Sequence, residues 1–324
     1  MKDTPRVAIG LVAVAIVLPL GVYALAAHAG LIPPEPDASA FRPSPLYEQI
    51  LALAAFFGVK AIYTLLTAIM LVKLWRRQEA DLVACWWALL AFFVGEAMCA
   101  VNVLICGDRN TLLEYLHATG MVLFLAVFIH AVVVGVDARM VHYSDAGRCT
   151  MTALCRGCVK HAPAGTCGLR RVFLLLIPAA ALLAALPLTA DLQPIAYTTK
   201  ILGGKHVYEH AMANQWYEWR FLPVAAMALF IVAEFRLVLW QKHPATVSKM
   251  LFAAGGGALG FSLLRFIMFV PFVHHQAWFA AWEELTELLM IGVIYGTFFA
   301  FPGLLKSPPV ESVQTKPALA KESA

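Results

Sequence analysis

Four of the seven cysteines in the chain lie within one polar segment, residues 137–171, between two long apolar runs. They are spaced C-x5-C-x2-C-x8-C, at Cys149, Cys155, Cys158 and Cys167. Thiolates bind soft or borderline metal ions, and four of them complete a tetrahedral zinc site or hold an iron–sulfur cluster. The spacing therefore predicts a metal site with these four cysteines as ligands.

The first three of these cysteines, C-x5-C-x2-C, resemble the cluster-binding loop of 2Fe–2S ferredoxins of the vertebrate and iron–sulfur-assembly types. The resemblance covers ten residues and implies an iron–sulfur cluster. The segment lacks the second C-x2-C pair of a zinc ribbon, and His142 or His161 could replace one thiolate. Zinc and an iron–sulfur cluster therefore both stay open as the cofactor.

A second group of chemically active residues falls inside the apolar runs. Its members are Lys60, Glu96, His130, Glu234, Arg265 and Glu287. An ionisable group in a bilayer costs about 2.5–3.5 kcal/mol on insertion scales, so each needs a partner or a wet cavity. Arg265 and Glu287 lie at similar depths near one membrane surface, and His130 and Glu234 lie at similar depths near the other. We therefore predict that each of these two sets forms a pair.

Lys60 and Glu96 both lie near the midplane when about 1.5 Å is counted per residue, and we predict that they pair. Glu96 shares one helical face with other polar or small side chains: Cys85, Cys99, Asn102 and Cys106. This face predicts a polar bundle interior. It could serve a proton path, a substrate site or a quinone pocket, or hold structural ion pairs.

Further nitrogen and oxygen ligands gather near one membrane surface: Glu114, His117, His206, Glu209, His210, His274, His275, Glu283 and Glu284. Such a set could hold copper, zinc or iron. The run from His206 to His210 matches the H-x-x-E-H of inverted zinc metallopeptidases, but without the large soluble domain of those enzymes it predicts an interfacial amphipathic segment.

A haem is not expected as a cofactor. His117 and His130 are thirteen residues apart, so they point to nearly opposite faces of one helix, whereas stacked haems need a repeat of about fourteen. A single haem held by His117 and a histidine of the His274–His275 pair stays open as an alternative.

The elements that hold these residues are predicted to be membrane helices. Hydrophobic residues make up 61% of the chain and charged residues 14%, whereas soluble proteins are about half apolar and a quarter charged. Apolar runs long enough to cross a bilayer of about 30 Å recur eight times. They span residues 7–30, 48–74, 82–106, 111–136, 172–192, 219–240, 250–273 and 278–304. Gly256 and Gly260, four residues apart, predict a close contact between two of these helices.

The distribution of Lys and Arg predicts the orientation. With the N-terminus in the cytoplasm, Arg76, Arg77, Lys242 and the basic residues of segment 137–171 all lie inside. The fold class is therefore an all-α polytopic membrane protein with eight transmembrane helices and both termini cytoplasmic, in a bacterial-type inner membrane. Residues 1–305 form the membrane domain, with a cytoplasmic cysteine loop at 137–171 and a periplasmic loop at 193–218, and residues 306–324 form a disordered tail.

Three functions are compatible with this pattern. The preferred one is an electron-transfer or accessory subunit of a larger membrane redox complex, because a small metal centre on a short loop needs a docked protein partner. The alternatives are an ion-coupled secondary transporter that uses Lys60, Glu96 and Arg265, with zinc as a structural staple, and a purely structural membrane subunit. The expected partners are the lipid bilayer and other proteins. No region supports nucleic-acid binding, and no catalytic residue is assigned.

Overall fold

The computed structural model describes residues 4–34, 38–107, 109–136, 139, 168–239 and 246–301. The predicted metal site at Cys149, Cys155, Cys158 and Cys167 and the predicted tail at 306–324 lie outside the described residues. The sequence prediction for these two segments therefore stays a prediction.

Eight helices occur in the described part of the chain, one at each position where the apolar runs predict one. They are α1 (Thr4–His28), α2 (Leu46–Leu74), α3 (Ala80–Cys106), α4 (Thr111–Gly135), α5 (Gly168–Leu183), α6 (Met212–Val238), α7 (Val247–Phe272) and α8 (Gln276–Ala300). The predominantly helical fold is thus confirmed. The majority of the helix ends lie within a few residues of the predicted ends.

Five of these helices, α2, α3, α4, α6 and α7, are long and apolar enough to cross a membrane. The apolar stretches of α1 and α5 are shorter, and α8 carries Glu283, Glu284 and Glu287 within a single turn and a half. Large apolar side chains face outward, such as Val72 and Ile105, each 78% exposed. This outward apolar surface is consistent with contact with lipid. Water-soluble proteins expose single apolar side chains, but they rarely expose a large continuous apolar surface. Eight spans stay a prediction.

A tight turn joins α3 to α4 and sets these two helices side by side. Gly107 ends α3 in the left-handed region at φ 64°, where a glycine has no steric penalty. Asn110 then caps α4, since its side-chain oxygen accepts from the amides of Leu112 and Leu113 at 3.1 Å. Further along, a Cβ on Gly120 would lie 2.8 Å from the Cα of Gly95, so only glycines allow the two backbones to approach this closely.

The predicted glycine contact of the seventh helix is present, one residue away from the expected pair. A Cβ on Gly257 would lie 2.5 Å from the backbone nitrogen of Ala126 in α4, whereas one on Gly260 would meet the end of Leu125 at an ordinary 3.7 Å. Helix α7 therefore packs on α4 through Gly257. Together with α3, these helices form the centre of the bundle.

A β-hairpin replaces the predicted amphipathic segment between α5 and α6. Strands β1 (Ile195–Ile201) and β2 (Gly204–His210) pair antiparallel, with Tyr197 opposite Tyr208. Leu202 and Gly203 turn between them, both with positive φ, as in the tight hairpin turns of type I′. The sequence pattern predicts a loop here, whereas the strands form because alternate side chains such as Ile195, Tyr197, Tyr208 and His210 are buried against the bundle, which is the period of a strand.

The hairpin covers one end of the bundle. Tyr208 donates to the carbonyl oxygen of Val273 at 2.9 Å, and the hydroxyl of Tyr197 accepts from the amide of Gln276 at 2.9 Å. Burial raises the pKa of Tyr197 above its ordinary value. A small apolar cluster that includes Phe279 and Trp219 fills the space beneath the strands. We refer to this end of the bundle as the hairpin end.

Candidate functional site

The hydroxyl of Tyr63 is the centre of a buried polar site between α2, α3 and α8. Its oxygen lies 2.7 Å from Glu96 Oε2, 2.5 Å from Glu284 Oε2 and 2.6 Å from Glu287 Oε2. Lys60 Nζ lies 2.9 Å from the same oxygen. Tyr63 itself is fully buried. One phenol therefore contacts three carboxyl groups and one ammonium.

These four contacts exceed what one hydroxyl can satisfy with ionised carboxylates. A phenol donates a single hydrogen bond and accepts at most two. It donates to one carboxylate and accepts from Lys60, so two further carboxylate oxygens face its lone pairs at 2.5–2.7 Å. Such oxygen pairs repel each other unless they share a positive charge, either a proton or a metal cation. The geometry therefore favours additional positive charge, as protons or a metal cation, beside these oxygens.

The predicted contact between Lys60 and Glu96 is present. Lys60 Nζ lies 2.5 Å from Glu96 Oε2 and 3.1 Å from Glu284 Oε1. Both Glu96 and Glu284 are buried to within 2% of full burial. Burying ions is expensive unless they are paired and hydrogen-bonded, so the ammonium between two carboxylates makes their burial possible. Of the other residues on the predicted α3 face, Cys85, Cys99 and Asn102 are buried too, and Cys106 is half-buried.

His117 on α4 extends the site toward the hairpin end. Its Nδ1 lies 3.2 Å from the carbonyl oxygen of Gly95 and 3.5 Å from Glu96 Oε1. Its Nε2 faces Glu283 Oε1 at 3.8 Å and Glu287 Oε1 at 3.9 Å. The close approach of Gly95 to Gly120 places Glu96 and His117 on adjoining helices at the same level.

Arg265 on α7 has different partners from the one that depth along the helices suggested. Its Nη2 lies 2.6 Å from Glu283 Oε1, and its Nε lies 3.2 Å from Glu218 Oε1. Glu287 instead contacts Tyr63. Depth along a helix predicts which residues lie at the same level in the membrane, but it does not predict which helix face each one occupies. Glu283 and Glu218 lie near the level of Arg265 and pair with it in place of Glu287.

Three π-helical turns position residues of this site. The turn Ala54–Val59 immediately precedes Lys60, Tyr217–Phe221 contains Glu218, and Arg265–Phe269 begins at Arg265. A π-turn inserts one extra residue into an α-helix and rotates the following side chains, and such turns are frequent at functional sites. Each of these three helices departs from regular geometry where it contributes a charge.

His210, at the end of β2, is the outermost member of the chain of charges. Its Nε2 lies 3.5 Å from Glu218 Oε2. From there, ion-pair contacts lead through Arg265 and Glu283 toward His117. The polar groups thus form a continuous path from the hairpin end to the middle of the bundle.

We call the members of this path and its centre the acidic cluster. They are Lys60, Tyr63, Glu96, His117, His210, Glu218, Arg265, Glu283, Glu284 and Glu287. Its five carboxyl groups face two fixed cations and two imidazoles. Even with both imidazoles protonated, the carboxylates outnumber the cations by one. Because an unbalanced buried charge is costly, the cluster favours binding one or more further cations.

A small cavity leads from the hairpin end to the acidic cluster. Its volume is about 60 Å³, and it extends from exposed Arg109 and Glu209 to buried Cys99 and His210. On the order of 10–15 Å³ is enough to admit one water molecule, so this cavity can hold several. Glu114 and Glu283 also line it.

The opposite half of the bundle is closed by aromatic packing. The ring of Phe92 lies edge-on to Tyr63 at a centroid distance of 5.5 Å and to Phe124 at 5.1 Å, and Phe124 stacks on Phe128 at 6.0 Å. Phe92 and Phe124 are fully buried. The acidic cluster therefore has an aqueous approach from the hairpin end, and apolar side chains lie beyond it.

The predicted ligand set at the membrane surface is not brought together. His206 Nε2 accepts from the side-chain amide of Gln276, the first residue of α8, at 2.5 Å. The carbonyl oxygen of His274 accepts from Arg42, and His275 precedes α8. In the described part of the chain, one group of three residues places metal-ligand atoms within 4.8 Å of one another, namely Glu96, His117 and Glu287. His117 thus has metal-ligand partners other than those predicted.

The predicted pair of His130 and Glu234 does not form. No ion pair or hydrogen bond joins these two residues in the part of the chain described, and His130 Nδ1 has no hydrogen-bond partner there. Both side chains are only half-buried. Their depths along α4 and α6 match, but depth does not determine which way each side chain faces.

Two members of the cluster were missed by sequence reasoning, and a third was assigned elsewhere. Tyr63 and Glu218 were not singled out, because a tyrosine in an apolar run and a glutamate beside tryptophans resemble ordinary interfacial residues. Glu284 was placed near the membrane surface instead of the bundle interior. A signal was present in α8, where Glu284 and Glu287 are three residues apart and therefore share a helix face.

Comparison with protein-family models, with curated proteins and with solved structures gives no match to this chain. The function is therefore argued from the geometry of the acidic cluster.

Proposed function

We propose that the protein is a cation-coupled membrane transporter whose acidic cluster binds the coupling or transported cation. The observation that carries the proposal is the excess of buried carboxylates over buried fixed cations around Tyr63. A purely structural ion-pair network is expected to balance its charges, because a residual charge destabilises the fold. An excess of one sign is expected where a mobile ion of the other sign binds.

The asymmetric access to the cluster supports transport in particular. A transporter that alternates its access has an aqueous path to one side at a time, and its site lies near the bilayer midplane. The cavity that reaches Glu283 provides the path from the hairpin end, and Phe92 and Phe124 close the other side. In this proposal, Lys60 and Arg265 hold the carboxylates together when the site is empty, and an entering cation competes with them.

The π-turns supply places where the helices can change shape. A π-turn converts to regular α-helix by shifting one residue, which rotates the residues on one side of it by about 100° relative to the other. Such a shift in the turns beside Lys60 and at Arg265 would move both cations relative to the carboxylates. The proposal assigns the opening of the aromatic side to this movement.

Transport is tested by charge movement in proteoliposomes on a solid-supported membrane. Rapid jumps in the concentration of H⁺, Na⁺ or a divalent metal ion are applied one at a time, and the displacement current is recorded. The expected result is a current for at least one of these cations in the unsubstituted protein. Glu284→Gln removes one negative charge without changing the shape of the side chain, and it should abolish the current.

Glu234→Gln is the matched control. Glu234 lies on α6 about 24 Å along the helix from Glu218, at about 1.5 Å per residue, and should not affect the current. The absence of a current with every cation, or an equal current in the folded Glu284→Gln variant, contradicts the proposal.

The proposed topology has eight spans with both termini in the cytoplasm, and the hairpin end faces the periplasm. The asymmetry of Lys and Arg supports it. Labelling of intact cells with a membrane-impermeant thiol reagent tests it: Lys205→Cys in the hairpin should react, and Lys160→Cys in the cysteine segment should not. The reverse pattern overturns the orientation.

A second proposal rests on the spacing of Cys149, Cys155, Cys158 and Cys167. If these residues hold an iron–sulfur cluster, the protein is an electron-transfer or accessory subunit of a membrane redox complex. Anaerobically purified protein should then show visible absorption that is bleached by dithionite, and an EPR signal on reduction. A colourless protein with stoichiometric zinc assigns the segment a structural metal instead, and unchanged metal content in all four single Cys→Ser variants refutes the site.

A further inference from the structure

The imidazole of His117 has one nitrogen committed and one free. Nδ1 lies 3.2 Å from the carbonyl oxygen of Gly95, which can only accept a hydrogen bond, so Nδ1 carries the hydrogen. In the neutral ring Nε2 then has a lone pair. This atom is buried and has no hydrogen-bond partner among the described residues, and the His117 side chain is 1% exposed. A histidine that binds a metal ion through one nitrogen commonly donates from the other to a backbone carbonyl.

The carboxylate oxygens around Nε2 have the spacing of atoms that share an ion. Glu287 Oε1 lies 3.9 Å from Nε2 and Glu283 Oε1 lies 3.8 Å from it. These distances are too long for hydrogen bonds. Two ligand atoms that bind one metal ion at about 2.1 Å each are separated by up to about 4.2 Å. The gap between Nε2 and these oxygens therefore fits one ion.

Glu96 supplies a third ligand that its neighbours hold in place. Its Oε2 contacts Lys60 and Tyr63, and its Oε1 has no hydrogen-bond partner among the described residues. Ligand atoms of Glu96, His117 and Glu287 lie within 4.8 Å of one another.

We propose that a divalent transition-metal ion of the zinc, iron or manganese class binds between the side chains of Glu96, His117 and Glu287, with Nε2 of His117 as its nitrogen ligand. This inference rests on the proposed function, since it names the chemical class of the cation. One imidazole with carboxylates suits these metals, whereas sodium, calcium and magnesium prefer oxygen ligands alone.

The charge balance of the cluster favours a divalent ion over a monovalent one. The five carboxylates face two fixed cations, Lys60 and Arg265, so up to three negative charges remain. A divalent ion offsets two of these charges, whereas a monovalent ion in the same place offsets one.

The metal site is tested with Co²⁺, whose visible absorption reports its ligands. The protein carries Ser in place of the cysteines at 149, 155, 158 and 167, so that this segment cannot bind the probe. We expect one Co²⁺ per chain, with a visible spectrum that Zn²⁺ abolishes by competition. His117→Gln and Glu287→Gln should each weaken Co²⁺ binding by at least about tenfold. His130→Gln, which changes the other histidine of α4, should leave binding unchanged.

A second measurement is X-ray absorption of the Co²⁺-loaded protein in which the acidic cluster carries no substitution. This measurement does not depend on whether the variants of the cluster fold. One imidazole and otherwise oxygen ligands support the site. Binding without an imidazole ligand, an unchanged affinity in folded His117→Gln, or no Co²⁺ bound at all overturns it.

The outcomes separate this inference from the proposed function. Displacement currents for H⁺ or Na⁺ in a protein that binds no Co²⁺ refute the metal site and leave transport standing. Stoichiometric Co²⁺ binding through His117, in a protein that gives no current with any cation, supports the site and refutes transport.

Discussion

The two halves of the helix bundle are stabilised in different ways. Toward the hairpin end, Glu96, Arg265 and the other members of the acidic cluster form a chain of charged contacts beside a small cavity. Toward the other end, the interior is filled by rings and aliphatic side chains such as Phe92 and Phe124. The first half depends on paired charges that a cation can rearrange, and the second on close packing that cannot rearrange without cost.

This difference coincides with where the helices depart from regular α-helical geometry. Among the described residues, three π-turns, at Ala54–Val59, Tyr217–Phe221 and Arg265–Phe269, lie at or beside the acidic cluster. The contact of Gly257 with Ala126 lies further along, where α4 and α7 are regular. The irregular half therefore has the features of a binding site and the regular half those of a scaffold.

The largest effect is expected from breaking the Lys60–Glu96 pair. Lys60→Met leaves Glu96 and Glu284 without the ammonium that they share and should lower the free energy of unfolding by about 3–5 kcal/mol. The double variant Lys60→Met, Glu96→Leu should cost less, because only one of the two carboxylates, that of Glu284, then lacks the ammonium. Unfolding in a titration with denaturing detergent measures this difference. Equal losses in the single and double variants contradict a coupled pair.

The double variant also distinguishes a structural pair from a functional one. If the pair serves only to stabilise the bundle, the folded double variant keeps the cation-evoked current described above. If it belongs to the cation site, the variant folds and gives no current.

A smaller effect is expected in the packed half. Gly257→Ala adds a Cβ that would lie 2.5 Å from the backbone nitrogen of Ala126, so α4 and α7 must move apart. We expect a loss of about 1–3 kcal/mol, seen as a lower melting temperature in detergent. Gly260→Ala is the control, since its Cβ meets Leu125 at 3.7 Å, and it should be close to neutral. A Gly257→Ala variant as stable as Gly260→Ala would falsify the close contact.

The smallest effect is expected at the hairpin, from the titration of His206. Burial and then the charge of Arg109 lower the pKa of His206 below its ordinary value, so the folded protein favours the neutral ring that accepts from Gln276. As pH falls through about 6.5, the unfolded chain takes up a proton that the folded chain resists, and stability falls. The loss is fully developed once pH is below the folded pKa.

The measurement is the melting temperature at about pH 7.5 and about pH 5.5, values that bracket the ordinary histidine pKa. His206→Phe should have a smaller decrease between these two pH values than the unsubstituted protein. An identical decrease in both assigns the pH dependence to other groups. The effect is small because Gln276 can turn its amide and accept from a protonated ring.

Much of the helical framework and one contact of the site were predictable from sequence. The apolar runs predict each helix because only apolar side chains are stable against lipid, whatever the tertiary arrangement. The pairing of Lys60 and Glu96 was predictable because both lie near the middle of their helices, where a lone charge has no water to solvate it. The hairpin was predictable in principle from the Gly203–Gly204 pair between alternating residues, although the surrounding aromatic residues favoured an interfacial segment.

The sequence by itself determined the membrane class, the positions of the helices and the need to pair buried charges, because these follow from side-chain chemistry and its period along the chain. Only the tertiary structure decided which charges meet. Depth along a helix gives one coordinate, while the face that each side chain presents depends on helix rotation, and the π-turns beside Lys60, at Glu218 and at Arg265 change that rotation locally. For this reason Tyr63 could not be recognised as the centre of the site until α8 was seen packed against α2.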